Sequence, residues 1–188
     1  MYAPRMYMRY GKTLDALLAR DPAMRRNFKN NNFAAMTMNL GPNTVTFRHV
    51  DHLNVPWGWC AITALGNYDP KLGGHLVLWD LGIAIEFPPG ATILIPSSAI
   101  HHSNTRIRAG EKRYSFTQYS SGGLFRWAYN GFMTAEQRRR KMTQDELSTV
   151  LEELSSQLDF GLSLYSTVDE IKNLRGITIA EGESNKVE

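Results

Sequence analysis

The sequence predicts a mainly β fold, a sandwich or barrel of short strands with helices at both ends. Three observations carry this. Between residues 33 and 120, short apolar or alternating runs are separated by Gly, Pro, Asn and Asp at regular spacing. On either side of that region, apolar residues recur at helical spacing. The short runs do not alternate with helical stretches, as the β-α units of a parallel sheet would require.

The elements follow in order. Leu14, Leu17, Leu18, Met24 and Phe28 place a helix over 13–29, with Asp21-Pro22 a point where it can split in two. Asn30-Asn31-Asn32 ends it. Residues 33–40 read as a strand, and Gly41-Pro42-Asn43 as a turn. Residues 44–51 alternate, so Val45, Phe47, His49 and Asp51 share one face of a strand. Further strands are expected over 59–65, 75–79, 84–87, 92–95, 100–103 and 113–120, about eight in all. The helical period returns at Thr134, which looks like an N-cap. Thr143-Gln144-Asp145-Glu146 matches a capping box ahead of Leu147, Val150, Leu151 and Leu154. A further short helix is expected within 158–174.

The 188 residues suit one domain. The expected divisions are an N-terminal helical segment over 1–32, a core over 33–133, a helical extension over 134–175 and a flexible tail over 176–188. Hydrophobic residues at 43% and charged residues at 21% are those of an ordinary globule. The single cysteine, Cys60, excludes an internal disulfide and a multi-cysteine zinc cluster, and favours an intracellular location. No apolar run approaches the roughly 20 residues of a membrane span, so no membrane partner is expected. Charge is uneven. Residues 1–29 carry seven basic and two acidic residues, 30–142 eleven and six, and 143–188 three and ten. A basic body suits a polyanion such as nucleic acid. Equally, the acidic segment can pack on that body and neutralise it.

Some residues carry chemistry. His49 and Asp51 flank Val50, so in extended chain they face one way, roughly 6–7 Å apart at Cα. An imidazole and a carboxylate so placed can ligate one metal, although polar residues also flank an apolar one by chance. His101 and His102 follow about fifty residues later. Adjacent strand residues face opposite sides, so one of the two can complete a two-histidine, one-carboxylate facial triad of the kind that serves non-haem Fe(II) and O2. Arg113 opens the last strand, with Ser115, Thr117 and Tyr119 on its face. Turned inward, its fork suits a carboxylate, which the Ser115 hydroxyl can share; turned outward, it is a surface arginine on an edge strand.

The order His-x-Asp, distal His, Arg-x-Ser within a run of short strands resembles the Fe(II)/2-oxoglutarate-dependent dioxygenases. The stretch CAITALGNYDPKLGGHLVLWD, continued by IEFPPGATILIPSSAIHHSNTRIRAGEKRYSFTQYSSGGLFRWAYNGF, is similar to the TET/JBP-like dioxygenase domains of mushroom-type fungi. The resemblance covers roughly residues 33–133. It implies a double-stranded β-helix, a jelly-roll or cupin-like barrel, using Fe(II), 2-oxoglutarate and O2. It implies His49, Asp51 and His102 as catalytic metal ligands, with His101 the fallback, and Arg113 with Ser115 on the far carboxylate of 2-oxoglutarate. It matches no residue to the other end of that co-substrate. The reaction implied is hydroxylation of a substrate C–H coupled to decarboxylation of 2-oxoglutarate to succinate. The first substrate expected is the methyl group of a methylated nucleobase of the 5-methylcytosine type in DNA or RNA, which would extend the intracellular expectation to the nucleus. A small-molecule or protein hydroxylase, or a non-catalytic barrel, is the alternative. Asn54 and Trp127 are the expected substrate contacts. Asn54 and Trp57-Gly58-Trp59 follow the ligand pair where such barrels open, and Trp127 follows the last strand; the tryptophans are equally suited to packing under the helices.

Overall fold

The structure, a computed structural model, describes residues 2–174, apart from the side chains of Leu147 and residues 151–154. The tail expected over 176–188, and the side chains of Leu147, Leu151 and Leu154, therefore lie outside the described residues.

Helix α1 runs Pro4–Arg20, earlier than the sequence period suggests. Its start fits Pro4, whose fixed φ suits the first turn and whose missing N–H is not needed there. Its end is set by Pro22. The residue before a proline is pushed out of the helical region, and Asp21 is extended at φ −127° and ψ 96°. Met6, Tyr10, Thr13 and Leu14 form its buried face.

Seven strands follow among the described residues: β1 (Ala35–Asn39), β2 (Cys60–Asn67), β3 (Leu76–Leu78), β4 (Ile83–Ile85), β5 (Thr92–Ile95), β6 (His102–Asn104) and β7 (Lys112–Tyr119). They form two antiparallel sheets, ordered β1-β7-β2-β5 and β4-β3-β6. Ala64, Leu76, Leu78, Phe87 and Ile95 make the buried core shared by the two sheets, with Ile62, Ile85, Ile93 and Ile100 around them.

Two expectations need correction. The sheets do not close into a barrel, and residues 44–51 form no regular strand. Instead the segment from Pro42 to Val55 runs as a strap from one sheet to the other. It meets β7 where Arg113 N donates to Pro42 O (2.8 Å) and Thr44 N to Arg113 O (3.1 Å). It meets β6 where His49 N donates to His102 O (3.1 Å) and His102 N to His49 O (2.9 Å). Asp51 N then donates to Ser97 O (2.9 Å), and Val55 N to Ser120 O (3.0 Å). A strand pairs along one neighbour; this segment satisfies its backbone on several in turn, which breaks the ladder but not the bonding.

Helix α2 (Gly122–Tyr129), which the Gly-Gly pair disguises in the sequence, is capped by Ser121. Thr134 and Gln137 complete a capping box on α3 (Ala135–Lys141), and Thr143 with Glu146 caps α4 (Gln144–Ser155). In place of one further short helix there are two, α5 (Gln157–Ser163) and α6 (Val168–Leu174). No helix of the described residues is long and apolar enough to cross a membrane.

The helices share a second core. Met6, Tyr10, Val55, Phe125 and Leu164 are buried in it, with Phe33, Trp57, Trp59, Phe160 and Tyr165 packed against them. Trp57 meets Tyr10, Phe125 and Phe160 edge-on, and Trp59 meets Tyr165. A side chain at position 58 would place its Cβ 2.0 Å from the Tyr10 hydroxyl, so glycine is required for the chain beyond the strap to pass α1. Arg5 ties the ends of the chain together. Its guanidinium holds both oxygens of Glu170 at 3.0 Å and the carbonyls of Ser163 and Tyr165. Part of the acidic segment is thus seated on the basic body.

Removing Phe87, 2% exposed between the sheets, should lower stability by about 3–5 kcal/mol as Phe87→Ala. Phe47→Ala, at a position 85% exposed, should change it by less than about 0.5 kcal/mol. Urea denaturation of both variants checks the pair.

Candidate metal and anion site

His49 and His102 face one another across the bridge between the strap and β6. Exchange of both backbone hydrogen bonds makes them a directly opposed pair, and their rings lie 4.3 Å apart at the centroids. Two residues along the extended strap, Asp51 turns to the same side, its Oδ1 3.6 Å from His49 Nε2. One ligand-type atom from each of the three lies within 4.8 Å of the others. Strand alternation sends His101 to the opposite face, where its Nδ1 meets Asp80 at 3.1 Å.

Both clustered histidines are oriented in the same way. His49 Nδ1 lies 2.7 Å from Phe47 O, and His102 Nδ1 lies 2.9 Å from Ile100 O. A carbonyl only accepts, so each Nδ1 carries a proton, which leaves Nε2 as the nitrogen through which each ring can ligate. Burial, with His49 alongside, pushes the His102 pKa below its ordinary value. The ring is therefore neutral near pH 7. Imidazole, imidazole and carboxylate form a donor set for a divalent first-row metal.

The cluster opens into a cavity of about 490 Å³, large enough for a small ligand. Its walls include Cys60, Ile62 and Leu76 from the sheets' inner faces, and Thr37, Asn39, Ser115, Thr117 and Tyr119 from β1 and β7. Cys60 is buried, and burial pushes its thiol up to about 12, so it is an inert wall.

Arg113 also lines the cavity and is 2% exposed. Its Nη1 donates to Thr44 O (3.0 Å), the Tyr68 hydroxyl lies against its guanidinium, and its buried Nε has no hydrogen-bond partner. Among the described residues no carboxylate pairs with it. Burial pulls its pKa down without displacing it from the charged form. A buried guanidinium without a counter-ion is expensive, and a bound carboxylate would relieve it. Ser115, two residues on and on the same face, is buried beside it and accepts from Asn39 Nδ2 (2.8 Å).

The two expected substrate contacts fare differently. Asn54 lines the cavity, but its amide donates to Asp51 Oδ2 (3.1 Å) and Ser97 Oγ (3.0 Å). Trp127 is not among the lining residues and packs edge-on against Phe132 at 5.0 Å. The basic run of α3 is partly engaged: Arg138 lies over the Tyr129 ring and donates to Asn130, and Arg140 pairs with Glu136. Sequence reasoning missed Asn104. It is buried on β6 two residues after His102, accepts from Thr46 N (2.9 Å) and Thr46 Oγ1 (2.8 Å), and donates to Thr44 O (3.2 Å). The Asn in His102-Ser103-Asn104 was the one available signal.

No family model matches the chain, and no curated protein matches it. Solved structures are similar in part. NgTET1 in complex with 5mC DNA has 15% identity and a TM-score of 0.44, over 61% of this chain and 48% of that one. The viral collagen prolyl hydroxylase vCPH from Paramecium Bursaria Chlorella virus-1, in its 2OG complex, has 13% identity and a TM-score of 0.33, over 57% and 68%. A truncated form of the same hydroxylase has 15% identity and a TM-score of 0.32, over 57% and 64%. The chain thus spans about half the length of the NgTET1 chain.

The lowered His102 pKa has a signed consequence. Between that value and the ordinary 6.5, the unfolded chain holds more protons on this residue than the folded one. Stability of the metal-free protein should be fully present above pH 6.5 and fall as the pH drops through that window. In His102→Gln this part of the slope should vanish, as thermal unfolding from pH 7.5 to 5 would read.

Proposed function

We propose that this chain is an Fe(II)- and 2-oxoglutarate-dependent oxygenase. The observation that carries the reading is one cavity with two complementary halves. One half has three metal-type ligands; the other has a buried guanidinium with no carboxylate partner among the described residues. A metal ion and a dicarboxylate together fill both.

In this reading His49 and His102 bind iron through Nε2, and Asp51 through a carboxylate oxygen. When bound, iron with 2-oxoglutarate and O2 supplies the oxidising power for hydroxylation of a C–H bond. The protein does the rest. The Phe47 and Ile100 carbonyls hold the imidazoles in one tautomer. Arg113 grips the far carboxylate of 2-oxoglutarate, with Ser115 beside it. Ile62, Leu76 and Cys60 exclude water from one side. Thr37, Thr117 and Tyr119 add hydroxyls to the cavity wall.

The substrate proposed first is a methylated nucleobase of the 5-methylcytosine type in DNA or RNA. The sequence resemblance and the excess of basic residues over 1–142 support it. A second reading, a small-molecule or protein hydroxylase, draws on one observation. Trp57 and Trp59 are engaged in the helical core, Trp79 with Ser103 and Arg48, and Trp127 against Phe132, which leaves no tryptophan on the cavity wall for stacking a base.

With Fe(II), ascorbate and 2-oxoglutarate, the protein should release succinate. His49→Ala, Asp51→Ala and His102→Ala should each abolish release, and His101→Ala should retain most of it. No succinate under any condition would leave a non-catalytic scaffold. Mass spectrometry of nucleosides after incubation with 5-methylcytosine and N6-methyladenine oligonucleotides separates the two substrate readings.

Arg113→Met should raise the dissociation constant of 2-oxoglutarate thirtyfold or more, corresponding to about 2–5 kcal/mol for a lost buried charge-assisted contact. The same change removes an unpaired buried charge, so thermal stability without co-substrate should hold or rise. Calorimetric titration and a melting curve read the two effects separately.

A further inference from the structure

We infer that Asn54 is a positioning residue for the Asp51 carboxylate, setting which of its oxygens the metal meets. The inference rests on the metal-centre reading above and extends it to a residue outside the ligand set.

A carboxylate on a short side chain has two equivalent oxygens and two soft torsions. Left free, it can turn either oxygen, or both, toward a cation. In this site the choice is already made. Asp51 Oδ2 accepts from Asn54 Nδ2 at 3.1 Å, while Oδ1 faces His49 Nε2 at 3.6 Å. Oδ2 is hydrogen-bonded to Asn54, and Oδ1, beside His49 Nε2, is left available.

Asn54 is itself fixed from three sides. Its Nδ2 also donates to Ser97 Oγ (3.0 Å), so both amide hydrogens have acceptors. Its backbone N donates to Asp51 O (2.9 Å), closing a tight turn that sets the separation of the two side chains. It bridges Ser121 as well, at the start of α2. Ser97 in turn holds Asp51 from the backbone, since Ser97 O accepts Asp51 N at 2.9 Å. Ser97 is 1% exposed, so this support is shielded from water. The amide orientation follows from its neighbours: an Asn oxygen turned toward Asp51 would oppose acceptor to acceptor.

Two assignments compete for Asn54. If the side chain chiefly contacts substrate, its removal weakens substrate binding and leaves the metal alone. If it positions Asp51, its removal weakens the metal first. Partners that orient a ligand in this way typically contribute ten- to a hundredfold in metal affinity.

The test is Co(II) titration of the full chain, followed by its visible absorption bands, without co-substrate or turnover. Asn54→Ala should raise the Co(II) dissociation constant about ten- to a hundredfold. It should also alter the band pattern as the carboxylate becomes free to turn. Ser97→Ala, which leaves the Asn54–Asp51 contact in place but loosens it, should show a smaller rise. The double variant should be no weaker than Asn54→Ala alone, because Ser97 Oγ acts through Asn54. Melting of the metal-free variants controls for folding: a cooperative transition near that of wild type means the loss belongs to the site. If Asn54→Ala melts out, Ser97→Ala and its band pattern carry the test alone. Wild-type affinity and spectrum in folded Asn54→Ala would overturn the assignment. If wild type itself takes up no Co(II) or Fe(II), the metal-centre reading fails, and the Asn54 assignment with it.

Discussion

The strap between Pro42 and Val55 is the constraint on which the rest of the site depends. It belongs to neither sheet. Its backbone is instead satisfied by Arg113, His102, Ser97 and Ser120, drawn from well-separated parts of the chain. The Asn104 side chain adds three bonds to Thr44 and Thr46. Because the holders sit on β6, on β7 and before α2, the strap is stretched across the gap between the sheets. His49 and Asp51 face the cavity because these anchors fix the course of the strap, and Arg113 serves both as an anchor and as a wall.

Polar burial is concentrated where this strap is held. His102, Asn104, Arg113, Ser115 and Ser97 are each less than a tenth exposed, and all but Ser97 line the cavity. Apart from Phe87, the core between the sheets is otherwise aliphatic, and most of the buried aromatic side chains gather under the helices. The division follows from what each material does. Aliphatic residues fill a thin space between twisted sheets, whereas large rings cover the broad contact between helices and sheet end. A cavity lined by hydrogen-bonding groups arises where neither fills.

Much of this was legible in the sequence, for identifiable reasons. Short apolar runs between turn residues located all seven strands within a residue or two, and period-2 alternation placed His49 and Asp51 on one side, even though the expected ladder there is absent. Extended backbone alternates whether or not it is paired. Alternation likewise required His101 and His102 to part. The start of α1 was hidden because Pro4 looks like a breaker until it is read as a first-turn residue. Helix α2 was hidden by Gly122-Gly123. The open edge in place of a closed barrel, and the work of Asn104 and Asn54, were beyond reach. They depend on contacts between residues far apart in sequence, which no local pattern encodes.

His49 and His102 are about fifty residues apart, yet they are joined across a single isolated bridge with no flanking ladder on the strap side. An ion gripped by both would add a clasp to a loop already held by hydrogen bonds to Arg113, Ser97, Ser120 and Asn104. An ion that binds only the closed form would favour that form over the unfolded chain by mass action. Loading and folding would then be coupled. The same contact that arms the site would fasten the strap to β6, and an emptied site would leave that junction to its backbone hydrogen bonds.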